Sequence, residues 1–142
     1  MRFCHREIEY TLPDQWWAEA GMDAFVVCGS AFLSAPSPIP AIEVFALSVN
    51  DVEPLRRNGS HGVFNDSAEF GTAHDRVVSI LRGIRQGAAL PPIEVARLPH
   101  SSASRFKLIH GAHRFYCALA AGFSHVPAIE VSDFWGNATN AA

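Results

Sequence analysis

The sequence is poor in cysteine and contains no long apolar run. Its three cysteines, Cys4, Cys28 and Cys117, are odd in number and widely spaced, which fits neither a zinc knuckle nor a disulfide-rich secreted domain. No apolar run approaches the roughly 18 residues of a membrane span, and residues 1–10 carry charges where a signal peptide needs an apolar core. We therefore expect a cytoplasmic protein with no membrane partner.

Basic side chains are also scarce. The 11 lysine and arginine residues are outnumbered by 14 aspartate and glutamate residues, which gives a formal net charge of -3 at pH 7. Such a chain has no long-range attraction to a polyanion, so contact with DNA would require a local basic patch. Small-molecule and protein partners are therefore favoured over nucleic acid.

Several common catalytic signatures are missing. The sequence has no Gly-x-Ser-x-Gly, no Gly-Lys-Ser/Thr of the Walker type and no Gly-x-Gly-x-x-Gly, which excludes the commonest hydrolase, NTPase and dinucleotide sites. There is also no His-Glu-x-x-His, and among the seven histidines only His110 and His113 are spaced closely enough to share a helix end. We therefore predict no metal site made by the protein alone.

The chain has enough apolar side chains for one compact domain, since 49% of its 142 residues are hydrophobic. Three prolines within residues 34–40 cannot donate hydrogen bonds to a sheet and favour an extended connector. We expect an N-terminal extension over 1–40 that packs on the same domain, a main domain over 41–135 and a flexible tail over 136–142.

Hydrophobic periodicity predicts both helices and strands, and therefore an α+β fold with an N-terminal strand-helix extension. The strongest signal is a helix over 73–85, in which Val77, Ile80, Leu81 and Ile84 follow helical spacing. The other predicted elements are a strand over 2–10, a helix over 15–20, strands over 42–49, 93–95, 106–109 and 126–131, and a helix over 113–121.

The stretch LIHGAHRFYCALAAG, residues 108–122, is the sharpest motif. A helix that begins near Ala112 leaves its first backbone N–H groups without acceptors in the helix, and its dipole favours an anion there. Gly111 permits close backbone approach, while His113 and Arg114 can add side-chain donors. These residue types predict a phosphate-binding turn, although strand-glycine-helix turns without a ligand are also common.

The segments around this turn form an ordered series: Pro91-Pro92-Ile93, Phe106-Lys107-Leu108-Ile109, Gly111-Ala112-His113-Arg114, Ala120-Ala121-Gly122 and Val126-Pro127-Ala128. The series resembles the ParB/sulfiredoxin superfamily over about residues 42–135. The resemblance implies that superfamily's fold, a mixed sheet with flanking helices. It also implies a site for a nucleotide, ATP or ADP as in sulfiredoxins or CTP as in ParB proteins.

The resemblance also implies which residues bind the nucleotide. Gly111, Ala112, His113 and Arg114 take the positions of the phosphate-binding turn. On the preceding helix, Arg76 and Ser79 match a basic residue and a hydroxyl that sulfiredoxins use, while Gly83 falls where a third, hydroxyl-bearing residue would be. Independently of the family, positions 76, 79 and 83 share one helical stripe, which a solvent-exposed polar face would explain equally well.

Two departures restrict the activities that the resemblance implies. Ala112 stands where sulfiredoxins have their nucleophilic cysteine, so reduction of sulfinic acids is not expected. Cys117 lies too far into the helix to replace it, among apolar neighbours typical of a buried, inert thiol. Chromosome-segregating ParB proteins continue into DNA-binding and dimerisation domains, which do not follow here, so centromere binding is not expected either.

Two functions from different classes remain open. The first is a phosphotransferase or nucleotide hydrolase, which would need Mg²⁺ and a carboxylate base. The candidate bases are Asp66, Glu69 and Glu43, although acidic residues in a solvent-exposed loop would give the same sequence pattern. The second is a non-enzymatic module that binds a protein, a second copy of itself or DNA through the 1–40 extension.

Overall fold

The computed structural model of the protein describes residues 1–55, 63–64 and 73–132. Within these residues the chain forms a mixed α/β structure of a four-stranded sheet with flanking helices and an N-terminal hairpin. The elements in chain order are β1 Arg2–His5, β2 Ile8–Thr11, α1 Asp14–Glu19, β3 Phe45–Ser48, α2 Ala73–Gln86, β4 Ile93–Arg97, β5 Phe106–His110, α3 Ala112–Ala121 and β6 His125–Glu130.

The larger sheet has the strand order β3-β6-β4-β5. Its two outer pairs, β3 with β6 and β4 with β5, are antiparallel, whereas the central pair of β4 and β6 is parallel. Parallel neighbours require a crossover connection, and α3 lies within the connection between these two strands. The predicted mixed sheet with flanking helices is confirmed.

Both long helices bury one apolar face. In α2, Val77, Leu81 and Ile84 are buried, as their spacing predicted, and the helix extends one residue beyond the predicted 73–85. The second helix, α3, buries five of its ten residues. It ends at Gly122, whose left-handed φ of 98° allows its amide to bond back to the Leu119 carbonyl at 3.0 Å.

The prediction of one strand over 2–10 is wrong, because this segment folds back as the β1–β2 hairpin. Its two-residue turn is Arg6–Glu7, with Arg6 in the left-handed region at a φ of 58°. Such turns normally carry Asn or Gly, so the sequence contained no signal for it. The strand predicted over 42–49 is also shorter, since β3 covers only Phe45–Ser48.

The N-terminal extension shares one hydrophobic core with the rest of the described chain. Tyr10 and Leu12 of the extension are fully buried in the same cluster as Val77 and Phe115. The buried His5 adds a polar contact, since its Nε2 donates to the Val49 carbonyl at 2.9 Å.

No helix in the part of the chain that the structure describes is both long and apolar enough to cross a bilayer.

Candidate functional site

A cavity of about 670 Å³ lies where α2 faces the end of β5 and the start of α3. This volume is within the usual range for a small-ligand site. All six residues predicted to bind phosphate line this one cavity: Gly111, Ala112, His113, Arg114, Arg76 and Ser79. The predicted residues thus come together in space, although 31 positions separate Ser79 from the start of the turn at His110.

The Gly111 turn has a geometry that only glycine fits. Gly111 precedes α3 with a left-handed φ of 99°. A Cβ at this position would lie 2.9 Å from Ile93 Cγ2 on β4 and 3.0 Å from Arg114 Nη2. The Phe115 amide donates to the Gly111 carbonyl at 2.9 Å, which is the first hydrogen bond of α3. The backbone amides that precede Phe115 have no acceptor within the helix and lie beside the cavity, where they favour an anion.

Arg114 has one hydrogen-bond acceptor among the described residues. Its Nη2 donates to the Pro92 carbonyl at 3.2 Å, and its Nε is buried without a partner among the described residues. Burial lowers the pKa of Arg114, and the nearby Glu94 carboxylate partly opposes this effect. An arginine remains charged under these conditions. Arg114 therefore presents a positive charge at the cavity, and some of its N–H donors have no partner among the described residues.

His113 lines the cavity but has a structural partner. Its Nε2 donates to the Val63 carbonyl at 2.8 Å, and its ring stacks on Phe64 with a centroid distance of 6.3 Å. A carbonyl only accepts hydrogen bonds, so Nε2 must carry the proton. This contact orients the ring, and the role of His113 in phosphate binding stays a prediction.

The α2 side of the cavity presents Arg76 and Ser79. Both side chains are exposed, and their spacing of three residues puts them on one face of the helix. Arg76 makes no hydrogen bond or ion pair with any residue that the structure describes. Gly83 is buried instead, and a Cβ there would lie 2.9 Å from Leu90 Cδ2, so this position contributes packing and no ligand contact.

The charged side chains in the described lining of the cavity are cationic. Its described lining contains two arginines and two histidines and no carboxylate, although the whole chain has a net charge of -3. The start of α3 adds the positive end of a helix dipole to the same space. An anionic ligand would therefore be attracted to this part of the surface in particular.

Of the three candidate bases, only Glu43 lies in the described part of the chain. Glu43 is exposed ahead of β3 and does not line the cavity. Asp66 and Glu69 lie outside the described residues. Among the residues that are described, no three histidine, cysteine or acidic side chains are arranged to hold a metal ion.

Cys117 is fully buried in α3, and burial raises the pKa of its thiol. A thiol in this state is a poor nucleophile because little thiolate forms. The predicted burial of Cys117 is confirmed.

The apolar wall of the cavity was not predicted. It includes Leu55, Ile80 and Leu108, of which Ile80 had been assigned to the core stripe of its helix. Leu55 is fixed by two tyrosines, since Tyr10 donates to its carbonyl at 2.8 Å and its amide donates to the Tyr116 hydroxyl at 2.8 Å. These contacts join distant parts of the chain, so no local sequence pattern could have indicated them.

Comparison with known proteins identified no relative of this chain. No match was found among protein-family models, curated proteins or solved structures. The geometry and charge of the cavity therefore indicate what the protein can bind.

Proposed function

We propose that the protein binds a nucleotide such as ATP, ADP or CTP, with its phosphates in the cavity between α2 and the start of α3. The observation that carries this proposal is the convergence of Arg76, Arg114 and the first turn of α3 on a space whose described lining has no carboxylate. Arginine forks and helix N-termini are the groups that proteins use most often for phosphate.

The cavity also suits the uncharged part of a nucleotide. Leu55, Ile80 and Leu108 form an apolar wall beside the cationic groups. Ligand sites typically combine such a wall with a few well-placed polar groups. A base or sugar packed on this wall would leave the phosphates directed at Gly111 and Arg114.

A ParB/sulfiredoxin-like fold is part of the same proposal. Its support is the order of the elements: β4 after Pro91-Pro92, then β5, the Gly111 turn, α3 and β6 with Pro127. This is the order of the segments that recur in the superfamily. Ala112 in the turn keeps sulfinic acid reduction outside the proposal.

Turnover of the nucleotide requires more than the described lining supplies. Phosphoryl transfer needs a carboxylate to accept a proton and usually Mg²⁺, and the described lining offers no carboxylate for either role. If the protein is a phosphotransferase or hydrolase, Asp66→Asn or Glu69→Gln should lower its turnover rate and leave its affinity for nucleotide unchanged. Unchanged turnover in both variants would exclude these acids as the base.

Calorimetric titration of ATP, ADP and CTP, each with and without Mg²⁺, tests the binding site. We expect saturable binding to the wild type and a loss of about tenfold or more in Arg114→Ala, because a charged hydrogen-bonding group is removed. The matched control is Arg97→Ala, an exposed arginine outside the cavity that pairs with Glu130 at 2.9 Å. No saturable binding, or equal losses in both variants, would contradict the proposal.

A second candidate function is self-association through the N-terminal extension. Val26 and Leu33 are 82% and 61% exposed, and Val27, next to Val26 in sequence, is 39% exposed. Val26 and Leu33 line the same surface depression, and exposed apolar patches commonly mark a protein interface. Sedimentation at increasing concentration would show a dimer that Val26→Ser with Leu33→Ser abolishes, whereas a monomer at every concentration would remove this candidate.

A further inference from the structure

Two buried tyrosines form hydrogen bonds with each other and with the backbone of Leu55. The hydroxyl of Tyr10 donates to the Leu55 carbonyl at 2.8 Å, and the Leu55 amide donates to the Tyr116 hydroxyl at 2.8 Å. The two hydroxyl oxygens are 3.2 Å apart. Because the Tyr10 proton is directed at Leu55, the Tyr116 hydroxyl is the donor between the two tyrosines.

This network connects three parts of the molecule. Tyr10 belongs to β2 of the N-terminal hairpin, Tyr116 lies in α3 two residues after Arg114, and Leu55 lines the cavity. Both tyrosines are fully buried, and their ring centroids are 4.5 Å apart. The two hydrogen bonds to Leu55 are partly buried and involve fully buried tyrosines, so they hold the Leu55 peptide in one position.

The hairpin reaches the cavity by a second route. Phe3 of β1 stacks on Tyr10 at 5.7 Å and meets Phe64 edge-on at 6.1 Å. Phe64 in turn stacks on His113, which lines the cavity. The hairpin is thus connected both to the apolar wall at Leu55 and to the start of α3.

We propose that Tyr10 is a positioning residue for the nucleotide site, through which the N-terminal hairpin fixes the cavity wall at Leu55. This inference rests on the proposed function. The Tyr10 hydrogen bond holds Leu55 in the position that the cavity needs to bind its ligand. Loss of this hydrogen bond therefore lowers the fraction of molecules that can bind nucleotide, and the apparent affinity falls with it. By linkage, bound nucleotide stabilises the docked hairpin to the same extent.

Tyr10→Phe tests this role, because it removes the hydroxyl and keeps the ring contacts. We expect the Kd for ATP to rise by about three- to tenfold, as the loss of one hydrogen bond predicts. The matched control is Ser104→Ala. Ser104 is also buried and accepts a hydrogen bond from Arg6 of the same hairpin, but it does not line the cavity. We expect this variant to bind ATP like the wild type.

A double-mutant cycle with Tyr116→Phe separates positioning from general destabilisation. Both hydroxyls act on the Leu55 peptide, so their effects on Kd should be non-additive. Amide hydrogen exchange provides a readout at the wall itself: ATP should slow exchange of the Leu55 amide in the wild type and much less in Tyr10→Phe.

The outcomes distinguish this inference from the proposed function. If the wild type binds ATP and Tyr10→Phe binds it equally well, Tyr10 has no positioning role while the nucleotide site stands. Equal weakening in Ser104→Ala would mean that any loosening of the hairpin suffices, and the specific role of Tyr10 would be overturned. If the wild type binds no nucleotide at all, the proposed function fails and this inference fails with it.

Discussion

Three arginines on α2 have different surroundings on two sides of the same helix. Towards α1, Arg82 Nη2 donates to the Glu19 carbonyl at 3.3 Å and Arg85 Nε donates to the Ala20 carbonyl at 3.0 Å. Towards the cavity, Arg76 has no hydrogen bond or ion pair within the described part of the chain. The same residue type is thus a structural group on one side and an available ligand group on the other.

Helix geometry and backbone acceptors together explain this difference. Arg76 and Arg82 are six residues apart, which places them roughly 120° apart around the helix axis. The end of α1 offers carbonyls that have no partner within that helix, and cations are favoured there. The cavity side instead faces the start of α3, which offers amide donors. Arg76 has no anionic partner among the described residues, and we therefore expect it to be available to an anionic ligand.

The largest effect is expected from Gly111→Ala, which changes the wall opposite Arg76. The left-handed φ costs a non-glycine residue about 1–2 kcal/mol, and contact with Ile93 adds about 1–3 kcal/mol. Gly87→Ala is the control, because Gly87 also has a positive φ, 68°, but nothing lies within 4 Å of its added Cβ. Urea denaturation should show the larger loss for Gly111→Ala, with ATP binding abolished. Equal losses would mean that close packing at Gly111 is unimportant.

Arg76→Ala and Arg82→Ala test the comparison directly. We expect Arg76→Ala to raise the Kd for ATP by about tenfold and to change the free energy of unfolding by less than about 0.5 kcal/mol. Arg82→Ala should leave the Kd unchanged and lower stability by about 0.5 kcal/mol, because it loses a long, exposed hydrogen bond. Titration calorimetry and urea denaturation of both variants measure these effects. An unchanged Kd in Arg76→Ala would show that the arginine on the cavity side of α2 does not bind the ligand.

The sequence predicted the parts of the fold that are set by local pattern. The helices over 73–85 and 113–121 begin and end within one residue of α2 and α3, because their apolar spacing is regular and glycines follow both. The turn around Gly111 was also predictable, since a glycine between a strand and a helix has a specific backbone requirement.

The sequence could not predict features that depend on distant or atypical contacts. The β1–β2 hairpin turns at Arg6, which has none of the residue preferences of a left-handed position. The apolar wall at Leu55 is fixed by Tyr10 and Tyr116, which come from opposite ends of the chain. Such contacts follow from tertiary packing, which periodicity does not encode.

The smallest expected effect concerns His74, which belongs to the α1 side of α2. Its Nε2 is 2.6 Å from Glu19 Oε2 and its Nδ1 is 2.8 Å from Asp75 Oδ1, so both ring nitrogens donate when the imidazole is protonated. Hydrogen bonds to Glu19 and then to Asp75 raise the pKa of His74 above its usual 6.5. The contact joins α1 to α2 and leaves the cavity side untouched.

A raised pKa in the folded state means that His74 stabilises the fold fully below pH 6.5, and that this contribution is lost as the pH rises through the folded-state pKa. The stability difference between the wild type and His74→Gln should therefore shrink between pH 6 and pH 9, and added salt should reduce it because the groups are exposed. Buried His5, whose pKa burial lowers, has the opposite dependence, but it is present in both proteins and cancels. The Kd for ATP should be equal in the two proteins. A stability difference that is constant or grows with pH, measured by urea denaturation, would show that His74 does not link α1 to α2 through its charge.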